Sequence, residues 1–320
     1  MPMIYSIRHL TKFTYSSPVT ESFIETRMQP RSEGAQRCLE FELTVAPKAR
    51  IHYYEDYLGN IIHHFDTATH HTELSVLAES VVEVNPPPDV PDSLTPASWD
   101  ELDRMTAGGD FWDYLNESQF ARWSPLLDEV GQRFDVRRRE DPLMVLYQLN
   151  HAMYDWFDYV PNSTRVDSPI EDALEKRAGV CQDFAHIMVT LVRRLGIPSR
   201  YVSGYVHRRP QDRDRSREGA THAWVEAWLP DLGWVGFDPT NALVAGQRHI
   251  RVAVGRDYAD VPPSRGVYKG GATSELKVAV NVAPMHETAP PLPQEMMIGD
   301  HSLVQGLAAV RYQQQQQQQQ

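Results

Sequence analysis

Cysteine is almost missing from this chain, which holds two, Cys38 and Cys181, in 320 residues. Two thiols do not make the disulfide framework of a small secreted domain, so the fold rests on burial and either thiol is free to react. Long apolar runs are missing as well. No stretch approaches the roughly 20 residues of a membrane-spanning helix. Met1-Pro2-Met3-Ile4-Tyr5 lacks the basic stretch and apolar run of a secretory leader. These absences predict a cytoplasmic protein. Positive charge is in short supply: 31 Lys and Arg against 43 Asp and Glu leave a formal charge of −12. That balance argues against nucleic acid or an anionic membrane as partner. What is present suits a globular protein. A hydrophobic share of 41% buries an ordinary core, and the length suggests two domains.

The first 90 residues read as an all-β domain. Strand patterning covers Ile4 to Tyr15, Glu40 to Ala46, Ile51 to Tyr54, Ile61 to Asp66 and Leu74 to Val84, with a turn at Leu58-Gly59-Asn60. The stiff run Pro86-Pro87-Pro88-Asp89-Val90-Pro91 closes it. Helical patterning follows over 97–158. Its clearest part runs from Pro142 to Phe157, where Leu143, Leu146, Leu149, Met153 and Trp156 share one face and Asp141 is the expected N-cap before a proline at the first helical position. A catalytic core is expected over 97–284, ending in the alternating strand Leu276 to Val282. The Pro-rich stretch and eight glutamines of 285–320 read as a low-complexity, disordered tail.

One of the two cysteines sits where a glycine turn becomes a helix, in Gly179-Val180-Cys181-Gln182-Asp183-Phe184-Ala185-His186. Phe184, Met188, Leu191, Val192 and Leu195 form the stripe of an amphipathic helix, and Gly196 and Pro198 end it. The free N–H groups and positive dipole end of the first turn favour a thiolate there, and would stabilise the oxyanion formed when that thiolate attacks a carbonyl. A free cysteine is also commonly a small buried hydrophobe. Position alone leaves the two readings level.

A thiol nucleophile needs a base and the base needs an orienting acceptor. Residues 221–240 offer both. His222, Trp224, Glu226 and Trp228 alternate along one face, and the turn signals of Leu229 to Gly233 make a hairpin with Trp234 to Thr240. Pairing Trp228 with Trp234 across a five-residue turn makes Asp238 the diagonal neighbour of His222; a three-residue turn makes the two directly opposite. Either register lets the carboxylate accept from the imidazole, provided that no bulge intervenes. His186 lies about 140° around the helix from Cys181 and reads as structural. His207 falls at a loop mouth.

These residues resemble a known family. Gly-Val-Cys-Gln-Asp-Phe-Ala-His, Leu-Gly-Ile-Pro-Ser-Arg-Tyr-Val-Ser-Gly-Tyr-Val from Leu195, Thr-His-Ala-Trp-Val-Glu-Ala-Trp from Thr221 and Gly-Trp-Val-Gly-Phe-Asp-Pro-Thr from Gly233 are similar to the core of the transglutaminase-like superfamily. The strand-rich start, with its Gly-Asn turn and Gln29-Pro30-Arg31, resembles the small β domain that precedes the core in bacterial members. The resemblance implies an α+β fold: an N-terminal all-β domain, then a papain-like core in which the cysteine helix packs on an antiparallel sheet. It implies a Cys181, His222 and Asp238 triad, with Cys181 as nucleophile, His222 as base and Asp238 as orienter. No EF-hand-like loop is present, so the calcium control of eukaryotic members is not expected.

The expected chemistry is covalent acyl transfer through a thioester, most simply hydrolysis of a peptide or amide bond in a peptide or protein substrate, without cofactor. The alternatives are protein-glutamine transglutaminase activity and a non-catalytic binding module of the same fold. Trp156, Tyr159 and Gln182 are unranked candidates for an oxyanion donor. His63, His64, His70 and His71 suggest metal, but adjacent histidines on a strand point to opposite faces and no further ligand spacing completes a site. The charged run from Arg208 to Glu218 reads as a solvated loop, with a lid over the site as the alternative.

Overall fold

The computed structural model describes residues 1–139, 141–209 and 211–285. Its elements in chain order begin with β1 (Met3–Val19), β2 (Glu21–Thr26), β3 (Gln36–Ala46), β4 (His52–Glu55), β5 (Ile61–Thr67) and β6 (His71–Val84). Helices α1 (Ser98–Thr106), α2 (Trp112–Leu115), α3 (Pro125–Arg133) and α4 (Pro142–Trp156) follow. Next come β7 (Asp158–Tyr159), α5 (Ile170–Lys176), β8 (Ala178–Gly179) and α6 (Cys181–Arg194). The chain ends in β9 (Ser199–Val206), β10 (His222–Leu229), β11 (Gly233–Asp238), β12 (Leu243–Val244), β13 (His249–Gly255), β14 (Ser264–Lys269) and β15 (Ser274–Pro284). These elements form two units. Among the described residues, one comprises Met1–Pro86, Glu218–Thr221 and 263–285; the other comprises Pro87–Arg217 and His222–Pro262. No described helix is long and apolar enough to cross a membrane.

The first unit consists of two four-stranded antiparallel sheets, ordered β15-β1-β6-β3 and β14-β2-β5-β4. Apolar residues from both, including Tyr15, Val45, Leu74 and Val76 from one and Ile24 and Phe65 from the other, meet in a single core. The Gly-Asn turn is held from outside: Arg31 Nη1 donates to the Leu58 carbonyl at 3.0 Å and to Asn60 Oδ1 at 2.8 Å. Two expectations are corrected here. Strand β2 was not anticipated, and the strand expected to close the catalytic core belongs to this unit. As β15 it pairs along β1, with Ile7 opposite Val282 and Leu10 opposite Ala279. The core expected over 97–284 therefore ends near Pro262. Alternation in 276–282 specifies a strand but not its partner, and an edge of the N-terminal sheet supplies one. The tail expected at 285–320 lies outside the described residues from 286 on.

The second unit holds a five-stranded antiparallel sheet, β12-β11-β10-β9-β13, with α6 laid on it. Ala223, Val225, Ala227 and Leu229 of β10 join Phe184, Met188, Leu191 and Val192 of α6 in one core with residues of α1, α3, α4 and α5. Asp141 caps α4 as expected, accepting from the Met144 N–H at 2.9 Å. Helix α6 carries the expected apolar stripe but is buried on every side from Gln182 to Arg193. Its polar side chains are satisfied instead of solvated. Thr190 donates to the His186 carbonyl at 2.8 Å, His186 Nε2 accepts from the Tyr258 N–H at 3.1 Å, and Arg193 donates to the carbonyls of Asn116, Ser199 and Arg256. Helices on one side and a sheet on the other leave no wet face.

Gly204 of β9 lies directly opposite His222 of β10. A methyl group there would collide with the Ile250 carbonyl oxygen and lie 2.7 Å from the Trp224 ring. Gly204→Ala is expected to lower the unfolding free energy by about 2 kcal/mol, the usual cost of overpacking, measured as a fall in the urea midpoint.

Candidate active site

The site begins with two short strands. β7 and β8 pair in parallel, Tyr159 opposite Gly179, and the Val160 N–H donates to the Gly179 carbonyl at 2.9 Å. This pairing sets Tyr159 beside the chain as it enters α6. Val180 is extended, and Cys181 is the first helical residue. The first intrahelical bond runs from the Phe184 N–H to the Val180 carbonyl, so the N–H groups of Cys181 and Gln182 precede the ladder. Asp183 fixes the entry angle: its Oδ2 accepts from the Val180 N–H at 2.8 Å and from the Thr164 hydroxyl at 2.6 Å. Burial pushes its carboxyl up in pKa while those hydrogen bonds oppose it. A Cβ on Gly179 would stand 2.8 Å from that same carboxylate oxygen, so a side chain there would displace the cap.

His222 opens β10 and Asp238 ends β11. The hairpin takes the five-residue turn, with Trp228 opposite Trp234 and Val225 opposite Phe237, and its unbroken register brings the two side chains together. His222 Nε2 donates to Asp238 Oδ2 at 2.8 Å, and both side chains are buried. Its other nitrogen, Nδ1, is buried without a hydrogen-bond partner among the described residues; the Cys181 thiol interacts with the ring. Burial alone would push the imidazole down. The Asp238 carboxylate, with Cys181 adding to it, outweighs burial and raises His222 to about 10. Burial likewise pushes Asp238 up, and the hydrogen bonds and charges of His222 and His249 hold it well below the usual carboxylate range.

Two residues of this cluster were not anticipated from sequence. Asn241 Nδ2 donates to Asp238 Oδ2 at 2.8 Å, and His249 Nε2 donates to the same oxygen at 3.2 Å. The Gly246 N–H donates to His249 Nδ1 at 3.2 Å, which fixes the tautomer that carries its proton on Nε2. The Thr240 N–H completes the set on Oδ1 at 3.1 Å. An Asx-type turn signal after Asp238 existed in the sequence at Pro239-Thr240-Asn241; nothing local marks His249, which arrives from β13. The ligand atoms of His222, Asp238 and His249 lie within 4.8 Å of one another, a donor set able to hold a metal ion. Both imidazole Nε2 atoms already donate their protons to the carboxylate, so the set reads as a hydrogen-bond network.

The remaining sequence candidates separate. Tyr159 interacts with Cys181: burial first and then the Cys181 charge push its phenol up. Gln182 turns away, donating to the Val166 carbonyl at 2.9 Å. Trp156 is packed under Arg177 at 4.9 Å and Arg133 at 5.6 Å, against Phe134 and Phe157. His186 is held neutral by burial, down to about 4. In the first unit, His63 lies against Phe41, His64 stacks on His52, and His71 hydrogen-bonds Ser22. The charged loop keeps Arg209, Arg213 and Arg217 exposed but is tied down at Arg215. Arg215 donates to the carbonyls of Tyr154 and Phe157, and its N–H donates to Asn241 Oδ1 at 2.8 Å.

Comparison with known proteins gives the family and the fold. The model of the transglutaminase-like superfamily matches residues 133–239, which include Cys181, His222 and Asp238. That of the bacterial transglutaminase-like N-terminal region matches residues 5–83. An uncharacterized protein of Mycobacterium leprae (strain TN) is 36% identical over 275 residues, covering 86% of this chain and 96% of its own. A protein-glutamine gamma-glutamyltransferase of Pseudomonas aeruginosa is 30% identical over 139 residues, which is 39% of this chain and 20% of that protein. A crystal structure from Cytophaga hutchinsonii, described there as a proposed cysteine protease, shares the fold with a TM-score of 0.70 at 23% identity, over 91% of this chain and 93% of that one.

The buried pair makes stability depend on pH in a defined window. His222 is raised above its ordinary 6.5, so its contribution is complete below 6.5 and is lost as pH rises through about 10. Asp238 is lowered below its ordinary 3.8, so its contribution is complete above 3.8 and fades as pH falls. Asp238→Asn is expected to cost about 3 kcal/mol between these limits, with the gap from wild type narrowing towards pH 10 in urea melts taken across pH.

Proposed function

Because the chain belongs to the transglutaminase-like superfamily, we propose that its second unit is a cysteine-dependent acyl-transfer enzyme that hydrolyses peptide or amide bonds through a thioester on Cys181. The observation that carries this reading is the chain of contacts from the Cys181 thiol through the His222 ring to buried Asp238. His222, held by Asp238, is the base that takes the thiol's proton, giving a thiolate and an imidazolium for the attack.

The thiolate attacks the carbonyl carbon, and the C=O electron pair moves onto oxygen. The N–H groups of Cys181 and Gln182 at the start of α6 are positioned to receive that oxyanion. Tyr159 is the side-chain donor the geometry favours. Its oxygen accepts from the Arg217 N–H at 3.1 Å, which leaves its own proton to give. The C–N bond then breaks as His222 passes its proton to the departing amine. Water follows the same route: His222 takes its proton, hydroxide adds to the thioester, and the C–S bond breaks to release the acid and the thiolate. Hydrolysis is favoured because Cys181 is only partly buried, so water reaches the thioester. The second reading, transfer to a primary amine, draws on the Pseudomonas aeruginosa relative.

At pH 7 iodoacetamide is expected to label Cys181 more than about a hundredfold faster than Cys38, whose thiol burial pushes up to about 11. His222→Ala is expected to slow Cys181 labelling about tenfold or more; equal rates at the two thiols return Cys181 to a packing role. Tyr159→Phe is expected to lower kcat about a hundredfold with little change in KM. Mass spectrometry of products formed with a labelled primary amine separates the two outcomes: efficient amine incorporation replaces hydrolysis with transfer.

A further inference from the structure

The loop between β9 and β10 carries five arginines, at 208, 209, 213, 215 and 217, in a chain of formal charge −12. Two of its acidic side chains are engaged outside the loop. Asp212 and Asp214 are both paired with Arg248 of the β12–β13 connection. Among the described residues Arg208 and Arg217 make no ion pair. Arg208 spends one guanidinium nitrogen on the Asp214 carbonyl at 2.8 Å, and the Arg217 side chain is exposed.

The loop backbone is anchored at the site itself. Arg215 bonds the carbonyls of Tyr154 and Phe157, just before Tyr159, at 2.7 and 3.1 Å, and its guanidinium lies 3.5 Å from the Tyr154 ring centroid. The Arg215 N–H bonds Asn241, which holds Asp238. The Arg217 N–H bonds the Tyr159 hydroxyl. The Arg217 backbone is thereby fixed one hydrogen bond from the phenol whose proton affinity the Cys181 charge raises. Arg208 acts on the same phenol, since both guanidiniums draw its proton affinity down against burial and the Cys181 charge.

We propose that this enzyme selects anionic substrates: Arg208 and Arg217, free of carboxylate partners and set around the Tyr159 hydroxyl, receive a carboxylate that the substrate carries next to the amide attacked by Cys181. An acidic side chain and a free chain-terminal carboxylate present the same group to this pair. The inference rests on the nucleophilic role of Cys181. A guanidinium pair without carboxylate partners discriminates by charge, since an uncharged amide in the same position leaves both cations without a counterion.

The test uses two alkylating agents of nearly equal size, iodoacetate and iodoacetamide, on the full chain at pH 7, with labelling of Cys181 and Cys38 followed separately. The ratio of the two Cys181 rate constants cancels any change in the thiol itself. The His222 imidazolium gives wild type a preference for iodoacetate, and the arginines add to it. Arg217→Gln and Arg208→Gln are each expected to lower the iodoacetate to iodoacetamide ratio about threefold, as removal of a nearby screened unit charge does. Arg217→Lys, which keeps the charge and the backbone N–H, is expected to hold most of the ratio. A ratio unchanged in both glutamine variants overturns the anionic selectivity while fast Cys181 labelling leaves the nucleophile in place. A ratio that falls equally with lysine and glutamine at 217 also overturns it, since charge is then not what counts. Slow labelling of Cys181 by both reagents, level with Cys38, removes the nucleophile and this inference with it.

Discussion

A single buried carboxylate organises the catalytic unit. Asp238 is fully buried, and an ionised carboxylate in that setting is tolerated only when its oxygens are occupied by donors. Four donors come from three places: His222 at the start of β10, the Thr240 N–H and the Asn241 amide from the turn after β11, and His249 at the start of β13. β10 and β11 are neighbours in the sheet, but β13 lies beyond β9 at the far edge. His249 reaches the acid because the β11–β13 connection crosses back over the end of the sheet, and the Gly246 N–H fixes the face its ring presents. The order of the strands and the ionisation of Asp238 are therefore one requirement seen from two sides.

The same carboxylate links the chemistry to the surface. Asn241 gives its amide N–H to Asp238 and takes N–H groups of Arg215 and Ser216 on its oxygen. A movement of the 207–217 loop that broke the latter pair would leave the Asn241 side chain free to rotate and withdraw one donor from the acid. Loops that carry substrate-binding groups are commonly the least stable parts of a fold. Here the loop that presents Arg208 and Arg217 is tied to the residue that tunes the base.

Much of this was readable from the chain because it is local. A cysteine after a glycine and before an apolar run announces a helix start, and alternation on both sides of Pro230-Asp231-Leu232-Gly233 announces a hairpin whose register brings position 222 near 238. The α4 cap at Asp141 is equally local. What escaped the reading depends on partners distant in sequence. β15 has a strand pattern wherever it docks, and only the free edge of β1 decides that it completes the first unit. The apolar stripe of α6 says nothing of Arg193, which is buried because three carbonyls from separate segments converge on it. His249 carries no motif at all, and its role exists only after β13 has paired with β9. Tyr159 could be nominated but not ranked until the β7–β8 pairing set it beside Gly179.

The high proton affinity of His222 poses a difficulty that the geometry itself relieves. An imidazolium near 10 is a comfortable partner for a thiolate but a reluctant acid towards a departing amine. Part of that affinity, however, comes from Cys181, whose interaction with the ring raises it. In the proposed reaction, as the carbon–sulfur bond forms, the negative charge leaves sulfur for the carbonyl oxygen and moves towards the helix N–H groups and Tyr159. The ring then loses one of the two groups that hold its proton, so it becomes a stronger acid at the step that needs one. In the thioester the sulfur is neutral, and His222, facing Asp238 alone, is left with the lower affinity suited to taking a proton from water. Asp238 sets the baseline and the state of the sulfur supplies the swing, which is why the acid must be held fixed by several donors while the thiol stands free at the end of its helix.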